Sequence, residues 1–174
     1  KYVPDAQSDR GFNEDNTTDR EGVDGLLSEL DEYAVEEALK IVEAGEGEVT
    51  VVTIGPDAAA EAVKKSLQMG ADKGVHVLDD AIAGSDAPAT SLVLAEAIKK
   101  IGTPDIVLTG MASTDGTMSV VPAMLAERLV TILPLLTREQ ALESLAVRSV
   151  VGAMPTGIDL VPPFVAPHHS ASVA

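Results

Sequence analysis

The residues best suited to chemistry lie in one short run, Gly110-Met111-Ala112-Ser113-Thr114-Asp115-Gly116-Thr117, continued by Met118-Ser119-Val120-Val121. Glycines let backbone N–H groups come close to a ligand, Ser and Thr offer hydroxyl donors, and a helix opening just after such a run favours an anion. A phosphate is the natural guest. The run is neither a G-x-G-x-x-G turn nor a Walker loop, and it lacks the lysine that a phosphate-binding loop of that kind uses. Nucleotide binding and an ordinary strand-to-helix turn therefore both stand at this point. Asp115 would repel a phosphate, so its expected role is a helix cap or an acceptor for a ribose hydroxyl.

Other candidates are weaker. His76 sits in an apolar stretch and reads as a satisfied core or rim histidine. His168-His169 has the ligand type for a metal but no carboxylate near in sequence. Asp79-Asp80 reads as a solvated turn. No G-x-S-x-G elbow is present, and without any Cys there is no thiol nucleophile, thiolate metal site or disulfide. Nothing pairs a nucleophile with a general base.

The elements that must position the run follow from periodicity. Ala34, Val35, Ala38, Leu39 and Val42 recur at helical spacing across residues 31–44, with Glu36, Glu37 and Lys40 opposite. Ser28 or Asp31 is suited to cap this helix, and Gly45 to stop it. Val49–Ile54 is β-branched throughout and predicts a buried strand. Gly55-Pro56-Asp57 turns the chain into a second helix that Gly70 ends. A short strand over 75–78, a loop over 79–85, a helix over 87–101 closed by Gly102, a strand over 105–109 and a helix to about Leu129 complete the alternation. Strands alternating with helices predict parallel crossovers in an open doubly wound sheet. In such sheets ligands bind beyond the carboxyl ends of the strands, where three segments lie: Leu30-Asp31, Ile54-Gly55-Pro56 and 110–117. Residues 1–27 are polar and irregular and read as an extended loop with a short hairpin.

Composition narrows the class. Apolar residues make up 45% of the 174 and aromatics only 2%, so the core must be Ala, Val, Leu and Ile, as suits parallel strands under Ala-rich helices. The net charge of −16 argues against nucleic acid and anionic membranes as partners. Residues 1–50 carry fifteen Asp/Glu against four Lys/Arg, which makes a charged solvated face or a docking face for a basic partner. No stretch approaches the ~20 apolar residues of a membrane span, and the absence of Cys fits a cytoplasmic location. Beyond Leu133 the character changes. Residues 134–174 hold five of the ten prolines, two Lys/Arg and three Asp/Glu. Residues 137–147 can form one helix, and the stretch after it shows no periodicity. A segment with no packing face cannot offset the ordering cost of about 1–2 kcal/mol per residue, so residues 134–174 are expected to be a poorly ordered tail to a domain over 1–133.

Several stretches are more than generic. Lys1-Tyr2-Val3-Pro4-Asp5, Asp31-Glu32-Tyr33-Ala34-Val35-Glu36-Glu37-Ala38, the segment Lys65–Val77, and Gly110–Val121 followed by Pro122-Ala123-Met124-Leu125-Ala126 occur in order across residues 1–129. Together they resemble electron transfer flavoprotein beta subunits of the actinobacterial kind. The resemblance implies an α/β fold, a doubly wound and mainly parallel sheet of the adenine-nucleotide-binding type, incomplete here at both ends. It implies an electron carrier rather than an enzyme. An alpha subunit would hold most of a shared FAD, and the beta subunit would hold AMP in a structural role. Electrons would pass from acyl-CoA and other dehydrogenases through the flavin to a membrane quinone oxidoreductase of the respiratory chain. Carried across by position, the AMP contacts fall on Ser28, Glu29, Leu30 and Asp31, on Ile54, and on Gly110, Met111, Ala112, Ser113, Thr114, Asp115, Gly116, Thr117, Met118, Ser119, Val120 and Val121. In electron-bifurcating members a second FAD takes the place of AMP, and Met111 and Met118 do not distinguish the two.

The likeness ends beyond Pro134. The family's Asn-Glu-Pro-Arg-Tyr-like docking segment, its basic stretch and its C-terminal arm have no counterpart, which a shifted reading frame would explain. The resemblance also places a first strand ahead of Lys1. Two rival readings follow: a stand-alone adenine-nucleotide enzyme of the same fold, and a remnant that keeps the motifs without assembling. The enzyme would need a Lys or Arg at the transferring phosphate, and residues 110–122 contain neither.

Overall fold

A computed structural model describes residues 1–9, 11–130, 135–150 and 158–161, with the backbone only of residues 147–150. Its centre is the unit that the β-branched run predicts. Strand β3 (Thr50–Ile54) pairs in parallel with β4 (Lys73–Val77), Val52 opposite Val75 and Ile54 opposite Val77. A parallel pair needs a crossover, and helix α2 (Ala60–Met69) supplies it after a 3-10 turn over Asp57–Ala59. Helix α2 buries Ala62, Val63 and Ser66, and the Ser66 hydroxyl donates to the Ala62 carbonyl at 2.9 Å. It lies so close to β4 that a Cβ on Gly74 would overlap Val63 Cγ1. Gly70 closes the helix at φ +125°, a conformation suited to glycine.

Helix α1 (Glu29–Glu43) buries Val35 and half-buries Ala34, Ala38 and Leu39, while Glu36, Glu37 and Lys40 face solvent. Ser28 holds the N-cap position, but neither Ser28 nor Asp31 caps the helix as expected: no side-chain bond closes its N-terminus. Helix α3 (Ala87–Ile101) is capped by Asp86, whose carboxylate accepts from the Ala89 amide at 2.9 Å, and it ends at Gly102. Helix α4 (Val121–Leu129) packs against it through Ala95, Ile98, Leu125 and Leu129, with Leu94 and Val107 at the margin. Arg128 ties the pair further, donating from Nε to Ser91 Oγ at 2.8 Å and from Nη2 to the Pro88 carbonyl at 3.2 Å.

The irregular start contains the expected hairpin pairing. Strands β1 (Tyr2–Pro4) and β2 (Gly25–Leu27) pair antiparallel, and Phe12 bridges Thr18 within the excursion between them. The chain is thus α/β with a small parallel sheet and no closed barrel among the described residues. One expected element does not form. Residues 105–109 make no strand, because the described sheets are the two-stranded pairs β1–β2 and β3–β4 and neither offers this segment a ladder. Its β-branched composition survives only as the contact of Val107 with the α3–α4 core.

The helix expected over 137–147 is α5 (Arg138–Val150), opened by Thr137 and Gln140, each side chain accepting from the other's amide at 3.2 and 2.9 Å. The further expectations for residues 131–134, 151–157 and 162–174, His168 and His169 among them, lie outside the described residues. Among the described residues no helix is long and apolar enough to cross a membrane.

Candidate functional site

The 110–121 segment leaves the α3–α4 core at Val107 and must reach Val121 without regular structure, so its backbone groups depend on side chains for partners. Gly110 comes first. It is buried, and its amide donates to Asp31 Oδ1 at 3.2 Å. A Cβ on Gly110 would stand 2.5 Å from that oxygen and 3.0 Å from the Leu30 carbonyl carbon, so only glycine permits this approach. Asp31 Oδ2 meanwhile accepts from the Lys1 backbone nitrogen at 2.6 Å. One carboxylate therefore joins the start of β1, the first turn of α1 and the loop.

Asp115 is the second organising group. Its side chain is fully buried, yet it caps no helix: the N-cap of α4 is Val120, with no side-chain cap bond. The cap role expected of it therefore does not hold, and its contacts run instead to the chain's own cations. Lys1 Nζ donates to Asp115 Oδ1 at 2.8 Å and to Ser113 Oγ at 3.2 Å, while Arg20 donates to Asp115 Oδ2 from Nη2 at 2.8 Å and Nε at 3.3 Å. The Gly116 amide also donates to Oδ1, at 2.7 Å. Burial opposes the charge on Asp115, but hydrogen bonds from Lys1, Ser113, Arg20 and the Gly116 amide outweigh it and hold the carboxyl well below the ordinary carboxylate range. The charge that would repel a phosphate is thus matched by two cations.

The loop's conformational demand falls elsewhere than on its glycines. Gly116 has open space where a Cβ would stand, and Thr117 and Ser119 hold the left-handed region, at φ 49° and 56°. For a β-branched residue such as Thr this is strained. The Thr117 amide closes the turn on the Ser113 carbonyl at 3.1 Å. Met111 and Met118 are exposed, and the α4 N-terminus follows without a side-chain cap.

Of the sequence-derived candidates, Asp31, Gly110, Ser113 and Asp115 are drawn into one polar network, with Leu30 in contact with Gly110. Ser28 lies one turn away, fully buried, with its hydroxyl unpartnered. Glu29 is exposed. Ile54 ends β3, and none of these polar contacts reaches it. His76 is the expected satisfied rim histidine, with Nε2 2.9 Å from the Gly55 carbonyl oxygen. Asp79 closes its turn by accepting from the Ala81 amide at 2.9 Å. Among the described residues no cluster of His, Cys, Asp and Glu has the makings of a metal site. Sequence reasoning missed Lys1 and Arg20 as members of the site. They lie 114 and 95 residues from Asp115, and no local pattern marks them as its partners.

Comparison with known proteins bears on this arrangement. The chain is 48% identical over 135 residues to the electron transfer flavoprotein subunit beta of Mycobacterium leprae, covering 74% of this chain and 51% of the relative. The subunit of the same name from Mycobacterium tuberculosis H37Rv gives the same figures. Protein FixA of Rhizobium meliloti is 44% identical over 133 residues, covering 74% of this chain and 46% of its own length. The chain therefore spans about half the length of the curated relatives it matches. The electron transfer flavoprotein domain matches residues 15–137, a span that takes in the β3–α2–β4 unit, the α3–α4 core and the whole Asp115 loop. By that match the chain belongs to the electron transfer flavoprotein domain family, a family of electron carriers rather than enzymes.

Proposed function

We propose that the chain serves as the beta subunit of an electron transfer flavoprotein. With an alpha subunit it forms a cytoplasmic FAD-containing carrier that takes electrons from dehydrogenases, acyl-CoA dehydrogenases among them, and passes them to the respiratory chain. The observation that carries the reading is the tie between Asp31 and the Gly110 amide. It joins two of the three segments to which the resemblance assigns AMP, 28–31 and 110–121, although 79 residues separate them.

The residues present suit a nucleotide. A buried, unpartnered Ser28 hydroxyl, open space beside Gly116, hydroxyls at Thr117 and Ser119, and an uncapped α4 N-terminus together offer donors to a sugar and a phosphate. FAD, held mainly by the alpha subunit, would supply the electron chemistry. This chain's residues would bind the nucleotide and shape the subunit that faces the flavin. The body of the subunit is residues 1–133, and residues 134–174 form a tail to it.

Co-expression with an alpha subunit tests the reading. A yellow heterodimer should form, and mass spectrometry of the denatured complex should release AMP at one per beta chain. The beta chain alone should be nearly colourless. A second FAD in place of AMP would identify the bifurcating type. Release of neither nucleotide would overturn the assignment, and ATP turnover by the chain alone would favour the stand-alone enzyme. Limited proteolysis tests the tail, with first cuts expected within 148–174.

A further inference from the structure

Arg20 stands at the end of the excursion between β1 and β2, which is far from the loop in sequence and built to hold a shape of its own. The Asp5 amide donates to the Asp24 carbonyl at 3.0 Å across its neck. Within it the Asn13 amide donates to Thr17 O at 2.8 Å and the Asp19 amide to Gly11 O at 3.0 Å. The Asp19 carboxylate then accepts from the Glu21 and Gly22 amides, both at 2.9 Å, and a Cβ on Gly22 would overlap it. Arg20 is fixed between these bonds, and its Nη1 donates back to Thr18 O at 3.4 Å. The excursion thereby presents the Arg20 guanidinium, which grips Asp115 with two nitrogens.

The gripped loop needs holding. Thr117 and Ser119 keep left-handed backbones, and such strain persists only where the surroundings over-determine it. The bonds that shape the turn run through Ser113 and Asp115: Thr117 amide to Ser113 carbonyl, Gly116 amide to Asp115 Oδ1, Lys1 to both side chains. Arg20 holds the other oxygen of Asp115 with two nitrogens of its planar guanidinium at once, Nη2 at 2.8 Å and Nε at 3.3 Å. We propose that Arg20 is a positioning residue for the nucleotide site: it touches no ligand, but through Asp115 it keeps residues 113–119 in the strained form that receives the phosphate end of the nucleotide. The inference rests on the nucleotide reading above for its ligand, and on the geometry alone for the loop.

Hydrogen exchange and AMP calorimetry on the full chain, alone and with the alpha subunit, test it with Arg20→Ala and Arg20→Lys. In Arg20→Ala, exchange at 113–119 should rise several-fold while α2 and β3 keep wild-type protection, and AMP affinity should fall about tenfold, the loss of one charged hydrogen-bonded contact. Arg20→Lys should recover part of both effects, because it restores the charge without the fork. Wild-type loop exchange in Arg20→Ala would overturn the proposal. So would equal loss of protection in α2, or failure to fold, since Arg20 would then support the whole domain. If the wild-type protein binds no AMP, the nucleotide reading fails, and the exchange measurements still decide whether Arg20 holds the loop.

Discussion

Residues 50–77 and residues 105–120 are both rich in the residue types of a nucleotide-binding α/β domain, yet they are held together in opposite ways. The first stretch satisfies its backbone within itself: β3 and β4 exchange ladder bonds, α2 makes its own, and the Ala and Val faces of all three close on one another. The second stretch has Ile106, Val107 and Leu108 in a row but no ladder, so Ile106 and Leu108 stay exposed. Its order comes from Asp31, Lys1 and Arg20, which stand 79 to 114 residues away. The lesson is that β-propensity describes a surface that fits a pleated neighbour. Without the neighbour it predicts nothing, and polar contacts of long range take over.

The contrast can be tested by perturbing each region where it is tightest. The largest effect is expected in the self-contained unit. Gly74→Val places a branched side chain where even a Cβ overlaps Val63, and overpacking of this kind costs about 3 kcal/mol. Urea denaturation should show the loss as a lower midpoint with an unchanged slope. A wild-type midpoint would mean that α2 and β4 are looser than described.

Gly110→Ala should act more locally. Its Cβ would press on Asp31 Oδ1 and on the Leu30 carbonyl, so about 2 kcal/mol should be lost as the loop moves away from α1. Released nucleotide should fall with it. Gly116→Val provides the sharper control, because open space faces that position. It should leave stability nearly unchanged and remove nucleotide only if the ligand stands in that space.

The dependence of the loop on charge should appear in acid. The Asp115 carboxyl is held below its ordinary range in the folded chain, so its contribution is fully present above the ordinary carboxylate value and is lost as pH falls towards the folded one. Loop exchange should therefore stay slow to about pH 4, the ordinary Asp value, and rise steeply below it. In Asp115→Asn the loop should already exchange fast at neutral pH and show little further change. A wild-type profile in that variant would remove Asp115 from its assigned role.

The smallest effect is a gain. Thr117→Gly relieves a left-handed backbone at a β-branched residue, worth about 1 kcal/mol less the added freedom of glycine in the unfolded chain. A small rise in thermal midpoint is expected, and a clear fall would show that the Thr117 side chain makes a contact worth more than the strain.

Much of the fold was legible because its signals are local. Helices α1 to α5 lie within a few residues of where the periodicity puts them, and Gly70 and Gly102 end α2 and α3 as expected. The strand at 50–54 follows from an unbroken β-branched run. The strand over 105–109 was misjudged because composition cannot report whether a ladder partner exists. At the site, the cap roles expected of Asp31 and Asp115 do not hold, since the partner of each carboxylate depends on what folding brings across from it.

The sequence by itself determined the α/β alternation, the lack of any thiol among these residues, the likeness to a family of flavin-linked carriers, and the run of small polar residues at 110–121. Tertiary structure alone decided what that run is worth. A buried carboxylate is unfavourable unless it is paired and hydrogen-bonded, and the residues that pair Asp115 are Lys1 and Arg20, on the far side of α1, β3, α2, β4 and α3 in the chain. Local pattern fixes bonds that close within a turn or a ladder. The partner of a buried charge is chosen by folding, because only the folded chain can exclude water from one residue and bring a cation to it from another.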